Sequence, residues 1–254
     1  MNTRTDWRWG ALGIVVLLAG WQAGAVLLGP LLMPTPAEAL RRLADLFAQA
    51  AFRADLTATL LRIGAGVGMA AFGGVALGLL AALDHRVRGL LEPLRWVLMA
   101  MPPVVIVLLA MLWLGVGGPT VVFMTVLVLA PAIYVNTVKG MLTLDRGLVQ
   151  MAQVFRFGPW VRLRHVYLPG LAGPLCASLL TALCSGTRIA LMAEVLGAHD
   201  GLGAVLADAG SAFDSAGIYA VVLVALAAVA LVEFLLLQPL QHRLTGWNRE
   251  SGHD

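Results

Sequence analysis

Four ionisable side chains interrupt long apolar stretches of this chain: Arg62, Arg188, Glu194 and Glu233. A charge in apolar surroundings is costly, so each must reach water, find an opposite charge or line a polar path. Together they do not form the series of buried carboxylates and histidines that a proton-driven pump requires. Bond-breaking chemistry finds no constellation either. His85, His165, His199, His242 and His253 are scattered over four segments, with no HExxH or comparable ligand spacing. Ser185 sits in "CSG" without the GxSxG elbow that would expose a nucleophile. No GxxxxGK(S/T) phosphate loop occurs, so any use of ATP has to come from a partner. The chain itself is expected to bind no cofactor and no metal.

The elements that must position these residues are set by composition. The chain has 254 residues, is 60% hydrophobic and only 12% charged, with a mean hydropathy of +0.87. Soluble domains are nearer half apolar and a quarter charged. An all-α integral membrane protein is therefore expected, with about six spans: 10–32, 57–83, 94–114, 119–138, 171–193 and 218–237. The first run is too long for a signal peptide and lacks a convincing cleavage site, so it reads as a membrane anchor. Cys176 and Cys184 lie eight residues apart in one predicted span, which disfavours a disulfide between them. The pI of about 9.3 comes from basic residues spread among loops, which fits membrane orientation better than nucleic-acid binding.

With the N-terminus inside, six spans place twelve Lys and Arg in the inner segments and only Arg41, Arg42 and Arg53 in the outer ones. That asymmetry satisfies the positive-inside rule and makes both termini cytoplasmic. Arg62 and Arg188 then lie near the outer ends of their spans and Glu233 near the inner end of its own, within snorkelling reach of water. In the first outer segment, Thr35, Pro36 and Glu38 form a helix-start signature. Leu40, Leu43, Leu46 and Phe47 follow on one face and predict a short amphipathic helix.

Two spans carry special residues. The second contains the small-xxx-small pairs Gly64 with Gly68 and Gly74 with Gly78, a packing face. The third contains Pro102 and Pro103, which remove backbone donors and kink the helix. Such a kink serves either a path or packing.

The stretch "QMAQVFRFGPWVRLRHVYLPG" from Gln150 to Gly170 is basic and aromatic in a chain otherwise built for lipid. It reads as a helix over about 145–157, broken at Gly158-Pro159, resuming at Trp160 and ended by Pro169. Phe155, Phe157 and Trp160 with Arg156 and Arg162 suit either a partner surface or a headgroup anchor.

Several stretches, in order along the chain, carry a resemblance: "LMPTPAEAL", "MPPVVIVLLAMLWLGVG", "PAIYVNTVKG", "AEVLGAHDGLG" and "LQHRLTGW". They resemble the permease subunit of bacterial ABC importers, in the family for nitrate, sulfonate, taurine, bicarbonate and related solutes. The resemblance implies a single permease domain over residues 1–254 with a type I importer fold in the bacterial inner membrane. It also implies that 139–169 is the ATPase-coupling loop. The family's loop pattern is E-A-A-x-x-x-G followed by a hydrophobic-x-L-P ending. Gln150, Met151 and Ala152 occupy the EAA place, Arg156 the Gly place, and "VYLP" the ending. Gln150 and Arg156 both depart from the pattern. A glycine there allows a tight turn, so Arg156 must avoid that backbone conformation or strain it.

The implied partners are a second permease copy, two ABC ATPase subunits carrying ATP and Mg2+, an extracytoplasmic solute-binding protein and the lipid bilayer. The expected coupling residues are Gln150, Met151, Ala152, Phe155, Arg156 and Phe157. Pro102, Pro103, Asn136 and Glu194 are expected at the path or gate. The alternative is a stand-alone secondary transporter or channel, which the few paired intramembrane charges and the absence of a two-fold hydropathy repeat disfavour. A membrane scaffold would need neither the kinked span nor the basic loop.

Overall fold

The chain turns at Gly29, at Asp84, at the Pro102-Pro103 pair and at Gly115 to Gly117, while Pro131 and Pro174 stay inside helices. The computed structural model describes residues 3–232, and the regular structure among them is helical. The elements are α1 (Thr3–Leu28), α2 (Pro36–Ala48), α3 (Ala50–Leu83), α4 (His85–Ala100), α5 (Pro103–Leu114), α6 (Gly118–Leu142), α7 (Arg146–Val154), α8 (Pro159–Arg162), a π-helical turn (Leu163–Tyr167), α9 (Leu168–Gly197), α10 (Leu202–Ser211) and α11 (Ser215–Val232).

The core of the bundle is α3 against α6, and small residues determine how closely they approach. Gly66, Ala70, Gly74 and Gly78 recur every four residues on one buried face of α3. Thr125, Leu129, Ile133 and Thr137 do the same on α6. A methyl group on Gly66 would meet Thr125 at 2.8 Å, one on Gly74 would meet Ile133 at 2.8 Å, and one on Gly78 would meet Thr137 at 2.7 Å. Each of these three pairs differs by the same 59 positions, so the two helices run parallel and in register. The other predicted pair, Gly64 with Gly68, faces away, and nothing lies within 4 Å of either.

The third helix of the core, α9, runs the opposite way. Gly197 packs against Thr120, Gly186 against Leu129, and Gly140 against Leu171 and Pro174, so residue numbers rise along α9 as they fall along α6. Ile63, Val67, Val107, Met124, Ile133 and Ala190 form the main buried cluster among these helices.

Parallel α3 and α6 require the intervening chain to return to the starting end, and α4 with α5 does so as a broken pair. The third predicted span, 94–114, is corrected here. Its proline kink is a 104° turn between two helices. Proline at 102 forces Met101 extended (φ −73°, ψ 130°), and proline at 103 does the same to Pro102 (φ −61°, ψ 138°). The α5 helix has 12 residues, about 18 Å, less than the roughly 30 Å of a bilayer's hydrocarbon. None of α4 is buried.

By length and composition α1, α3, α6 and the run Pro159–Gly197 can each cross a membrane, and the count is five when the bent pair is taken as one broken span. The sixth predicted span is represented by α11, and its remainder to 237 lies outside the described residues. So do Glu233, His242, His253 and the "LQHRLTGW" segment. The first predicted span, 10–32, ends earlier, at Leu28, where Gly29 takes φ +82°.

The predicted capping box of α2 is present. The Glu38 N–H donates to Thr35 Oγ1 at 3.3 Å and the Thr35 N–H to Glu38 Oε2 at 2.8 Å. These bonds hold the Glu38 carboxyl below the usual range, the Thr35 backbone N–H being the larger cause. The buried stripe is rotated from the expected one. Ala39 and Leu46 are buried, while Leu40 and Phe47 are exposed, because α2 packs on α11 through Leu43, Leu46, Ala220 and Val221.

Arg42 fixes that contact, its Nη2 lying 2.7 Å from Asp214 Oδ2. Burial acts to raise the Asp214 pKa, but the Gly217 N–H and the Arg42 guanidinium outweigh it and leave the carboxyl below its ordinary range. A depressed folded pKa gives stability that is present above the unfolded value of about 3.9 and is lost as pH falls through the folded one. We therefore expect Asp214→Asn to lower the melting temperature in detergent at pH 7. That difference should close as both proteins are taken below pH 4.

Candidate functional site

Three neighbourhoods hold the residues singled out from the sequence, apart from Pro102 and Pro103. The first is the connection from α6 to α9. Asp145 Oδ1 accepts the Gly147 N–H at 2.7 Å and starts α7. Ala152 is 1% exposed and anchors the helix. Gln150, Met151, Val154 and Phe155 stand exposed around it, and the Phe155 and Phe157 rings lie 6.3 Å apart.

Arg156 takes the strained option, with φ +52°. The Phe157 N–H reaches back to the Ala152 carbonyl at 3.0 Å, the 6→1 bond of a Schellman ending with Arg156 in the position that glycine usually fills. A side chain in this conformation costs about 1–2 kcal/mol, partly offset by glycine's greater freedom in the unfolded chain. We expect Arg156→Gly to stabilise the ending by about 0.5–1 kcal/mol. Hydrogen exchange read by mass spectrometry would then slow about two- to fivefold at the amides of Phe155 and Phe157.

The second half of this connection departs from expectation. The helix resumes at Pro159 and runs through Pro169 instead of ending there. The π turn makes this possible: the Leu168 N–H bonds to Leu163, five residues back, which shifts the ladder so that a residue without an N–H is accommodated. Arg162 Nε closes the corner by donating to the Phe157 carbonyl at 2.8 Å.

The second neighbourhood lies at the other end of the bundle, around Glu194. This carboxylate is wholly buried and accepts from Thr59 Oγ1 at 2.8 Å, Arg62 Nη1 at 2.9 Å and the Gly203 N–H at 3.0 Å. Arg62 also spans to Asp200, bonding its carboxylate at 2.7 Å and its carbonyl at 2.9 Å. Asp55 accepts the Gly201 N–H at 2.8 Å and Thr59 Oγ1 the Leu202 N–H at 2.8 Å. Gly201 sits at φ +99°, and a methyl group there would lie 2.5 Å from Glu194 Oε1, so the turn needs glycine for both conformation and space. The network ties the α9–α10 loop to α3 and places the N-terminus of α10 on a carboxylate. Arg62 is held in an ion pair and does not snorkel. The spacing of Asp55, Thr59 and Arg62, four residues and then three, puts all three on one face of α3, a signal the sequence reading did not use.

The third neighbourhood is an open groove of about 340 Å3 between α6 and α9, where Asn136, Lys139, Thr143, Ser178 and Thr181 stand among Gly140, Pro174 and Ala177. Asn136 Nδ2 donates to Ser178 Oγ at 3.1 Å. Of the residues expected at a path or gate, Asn136 lies here and Glu194 in the network above. Ser178 and Glu194 are separated along α9 by about 24 Å. Pro102 and Pro103 are exposed at the α4–α5 turn. The structure thus distributes these four residues over three places.

Comparison with known proteins agrees with this architecture. The family described as "Binding-protein-dependent transport system inner membrane component" matches residues 74–244, two thirds of the chain. The taurine transport system permease protein TauC of Escherichia coli (strain K12) is 28% identical, over 98% of this chain and 96% of its own. The riboflavin transport system permease protein RibX of Chloroflexus aurantiacus is 30% identical, over 94% and 91%. A chain of the MetNI methionine ABC transporter in an inward-facing conformation superposes with a TM-score of 0.64 at 16% identity, covering 74% of this chain and 92% of that one, a likeness of fold. Long apolar helices in a parallel and antiparallel core, a short exposed helix at one end and full-length relatives named as permeases lead to one assignment: the chain belongs to the inner membrane component family of binding-protein-dependent transport systems, the permeases of ABC importers.

Proposed function

We propose that this chain is the membrane-spanning subunit of an ATP-driven importer in a bacterial inner membrane, with six spans and both termini in the cytoplasm. Two copies form the path, two ABC ATPases carrying ATP and Mg2+ dock on the α6–α9 connection, and an extracytoplasmic binding protein delivers a small solute. Taurine or another sulfonate is the solute that the taurine permease relative suggests, and nitrate belongs with them in the family the sequence resembles. The observation that carries this reading is α7. It is a nine-residue helix held at one end of the bundle through buried Ala152, with apolar Met151, Val154 and Phe155 turned outward. An exposed phenylalanine just past the end of a short helix, beside exposed Met151 and Val154, suits a protein partner.

In this reading Gln150, Met151, Phe155, Arg156 and Phe157 form the ATPase contact, and Ala152 seats the helix. Asn136 lines the inner part of the path. Glu194 holds the outer loop against α3, and the Pro102-Pro103 turn joins the two halves of the returning span. ATP-driven closure of the ATPases pulls on α7, and the bundle follows between inward and outward access. The chain converts a difference in ATPase binding between two states into movement of solute and breaks no bond itself.

The test is a pull-down of the tagged protein from native membranes in mild detergent. The expected result is an ATPase that co-purifies and hydrolyses ATP. Changing Phe155 and Phe157 together to Asp should reduce its recovery at least tenfold, since aromatic anchors dominate such contacts, while membrane insertion stays normal. Undiminished ATPase recovery by the double variant would remove α7 from the interface. A protein that purifies alone yet moves solute without ATP would be a secondary transporter.

A further inference from the structure

Among the described residues, Tyr134 alone buries a side-chain polar atom that has no partner. The residue is 6% exposed, and its hydroxyl makes no hydrogen bond within the chain. Folded proteins seldom leave such a group unmet, because an unpaired buried hydroxyl costs stability. Its buried neighbours Ala81 and Val138 carry no polar side-chain group. Tyr134 lines a cavity of about 70 Å3 between α3, α4 and α6, together with Leu77, Leu91, Leu94, Leu98, Leu127 and one charged residue, Arg95. The cavity is open on the side of Leu77 and Leu94, which are both exposed.

The sequence of α4 gives this groove one apolar wall and one charged edge. Val87, Leu91, Leu94 and Leu98 are spaced by four, three and four residues and form the stripe that meets α3 and α6. Arg88, Glu92 and Arg95 repeat that spacing one position on, so a charged stripe runs beside the apolar one. Arg95 is paired with Glu92, which leaves the positive charge of Arg88 in surplus. Arg88 and Arg86 are exposed in the first turn of α4. Measured from the start of α4, Arg88 lies about 4 Å along the axis, Leu91 about 9 Å and Leu98 about 20 Å. Leu91 packs against Tyr134. The groove thus offers, in order, a cation, an unmatched hydroxyl donor and an apolar trough, which is the order of phosphate, ester and acyl chain in a phospholipid.

We propose that the groove between α3, α4 and α6 binds one anionic phospholipid of the inner leaflet. Its phosphate sits at Arg88, an ester carbonyl accepts the Tyr134 hydroxyl, and an acyl chain runs between Leu94, Leu98 and Leu127. The enclosed part is small, so the rest of the chain lies along the open side against Leu77 and Leu94. A basic edge beside an apolar groove at the cytoplasmic face selects anionic headgroups. The lipid also supplies packing that the protomer lacks, since none of α4 is buried. The proposal rests on the orientation given above, which puts the start of α4 at the cytoplasmic face.

The test has two arms, both on the full chain. In the native membrane, photo-crosslinking from Leu94→p-benzoylphenylalanine identifies the occupant by mass spectrometry. We expect a phospholipid adduct. Cross-links to residues 233–254 or to a second permease copy would overturn the proposal by giving the groove to protein. After purification in mild detergent, native mass spectrometry measures the binding of added dioleoylphosphatidylglycerol and dioleoylphosphatidylcholine to wild type, Tyr134→Phe and Arg88→Gln. Wild type should prefer phosphatidylglycerol about tenfold, and Arg88→Gln should erase that preference, as loss of a charged hydrogen bond implies. Tyr134→Phe keeps the ring and removes only the donor, so it should weaken both lipids about three- to tenfold. Unchanged lipid binding in Tyr134→Phe would reduce the residue to packing and overturn the proposal, as would equal binding of the two lipids by wild type. ATPase recovery, scored in parallel, should be unchanged in both variants. Its absence from every preparation would defeat the importer reading, while the lipid affinities would still decide the site.

Discussion

Glu194→Ala should lower the stability of the protein by about 3–5 kcal/mol, the cost of breaking a buried ion pair from one side. Three donors converge on this carboxylate, from Thr59, Arg62 and the Gly203 backbone, and the alanine variant leaves all of them short of a partner in a site closed to water. Arg62 suffers most, since its side chain is only 12% exposed and keeps only the Asp200 half of its pairing. Glu194→Gln preserves shape and one acceptor and should cost less, about 1–3 kcal/mol. The double variant Arg62→Met with Glu194→Gln should recover part of the alanine loss, because removing both charges avoids the orphan. Thermal unfolding in detergent measures the ranking. Hydrogen exchange at Gly201, Leu202 and Gly203 locates it, since these amides bond to Asp55, Thr59 and Glu194. Wild-type stability in Glu194→Ala would show that the loop is held by something other than this network. If the latch has to open in each cycle, the glutamine variant should also change uptake more than it changes melting temperature.

Much of this architecture could be read from residue types, and the departures have physical causes. Long apolar runs gave the long helices because a helix satisfies its own backbone in lipid, and four of these helices are long and apolar enough to cross. The Thr35 and Glu38 box gave the start of α2 because its bonds are local. Pro102 and Pro103 marked the right place, but a sequence states only that donors are missing. The 104° turn depends on what α3, α6 and α9 leave room for. Glycine spacing alone could not separate the pair that packs from the pair that faces outward, since Gly64, Gly68, Gly74 and Gly78 share one spacing and differ only in which side of α3 meets α6. Arg62 and Glu194, 132 positions apart, looked like two isolated charges because pairing across helices requires the antiparallel register of α3 and α9. The Arg156 alternative was framed correctly from the loop pattern, and only the backbone could decide it.

Gly74→Leu should disrupt the bundle where Gly64→Leu does not, and the contrast tests the register on which every other placement depends. A methyl group on Gly74 would sit 2.8 Å from the Ala130 carbonyl oxygen and 2.8 Å from Ile133 Cβ. Backbone cannot rotate away as a side chain can, so α3 and α6 would have to separate over several turns, unpacking Gly66 and Gly78 with them. We expect a loss of about 3 kcal/mol, at the upper end for overpacking, and a protomer that extracts poorly in mild detergent. Gly64 has nothing within 4 Å in the protomer, so leucine there adds apolar surface on a face that meets lipid or another chain. Melting temperatures of the two variants, measured side by side, distinguish the cases. Equal damage at both positions in the assembled transporter, with none at Gly64 in the isolated protomer, would mean that the open face of α3 is covered by a neighbour. Small residues there would then serve assembly as those at Gly66, Gly74 and Gly78 serve folding. Equal damage at both positions in the isolated protomer itself would contradict the parallel register of α3 and α6, and with it the return path assigned to α4 and α5.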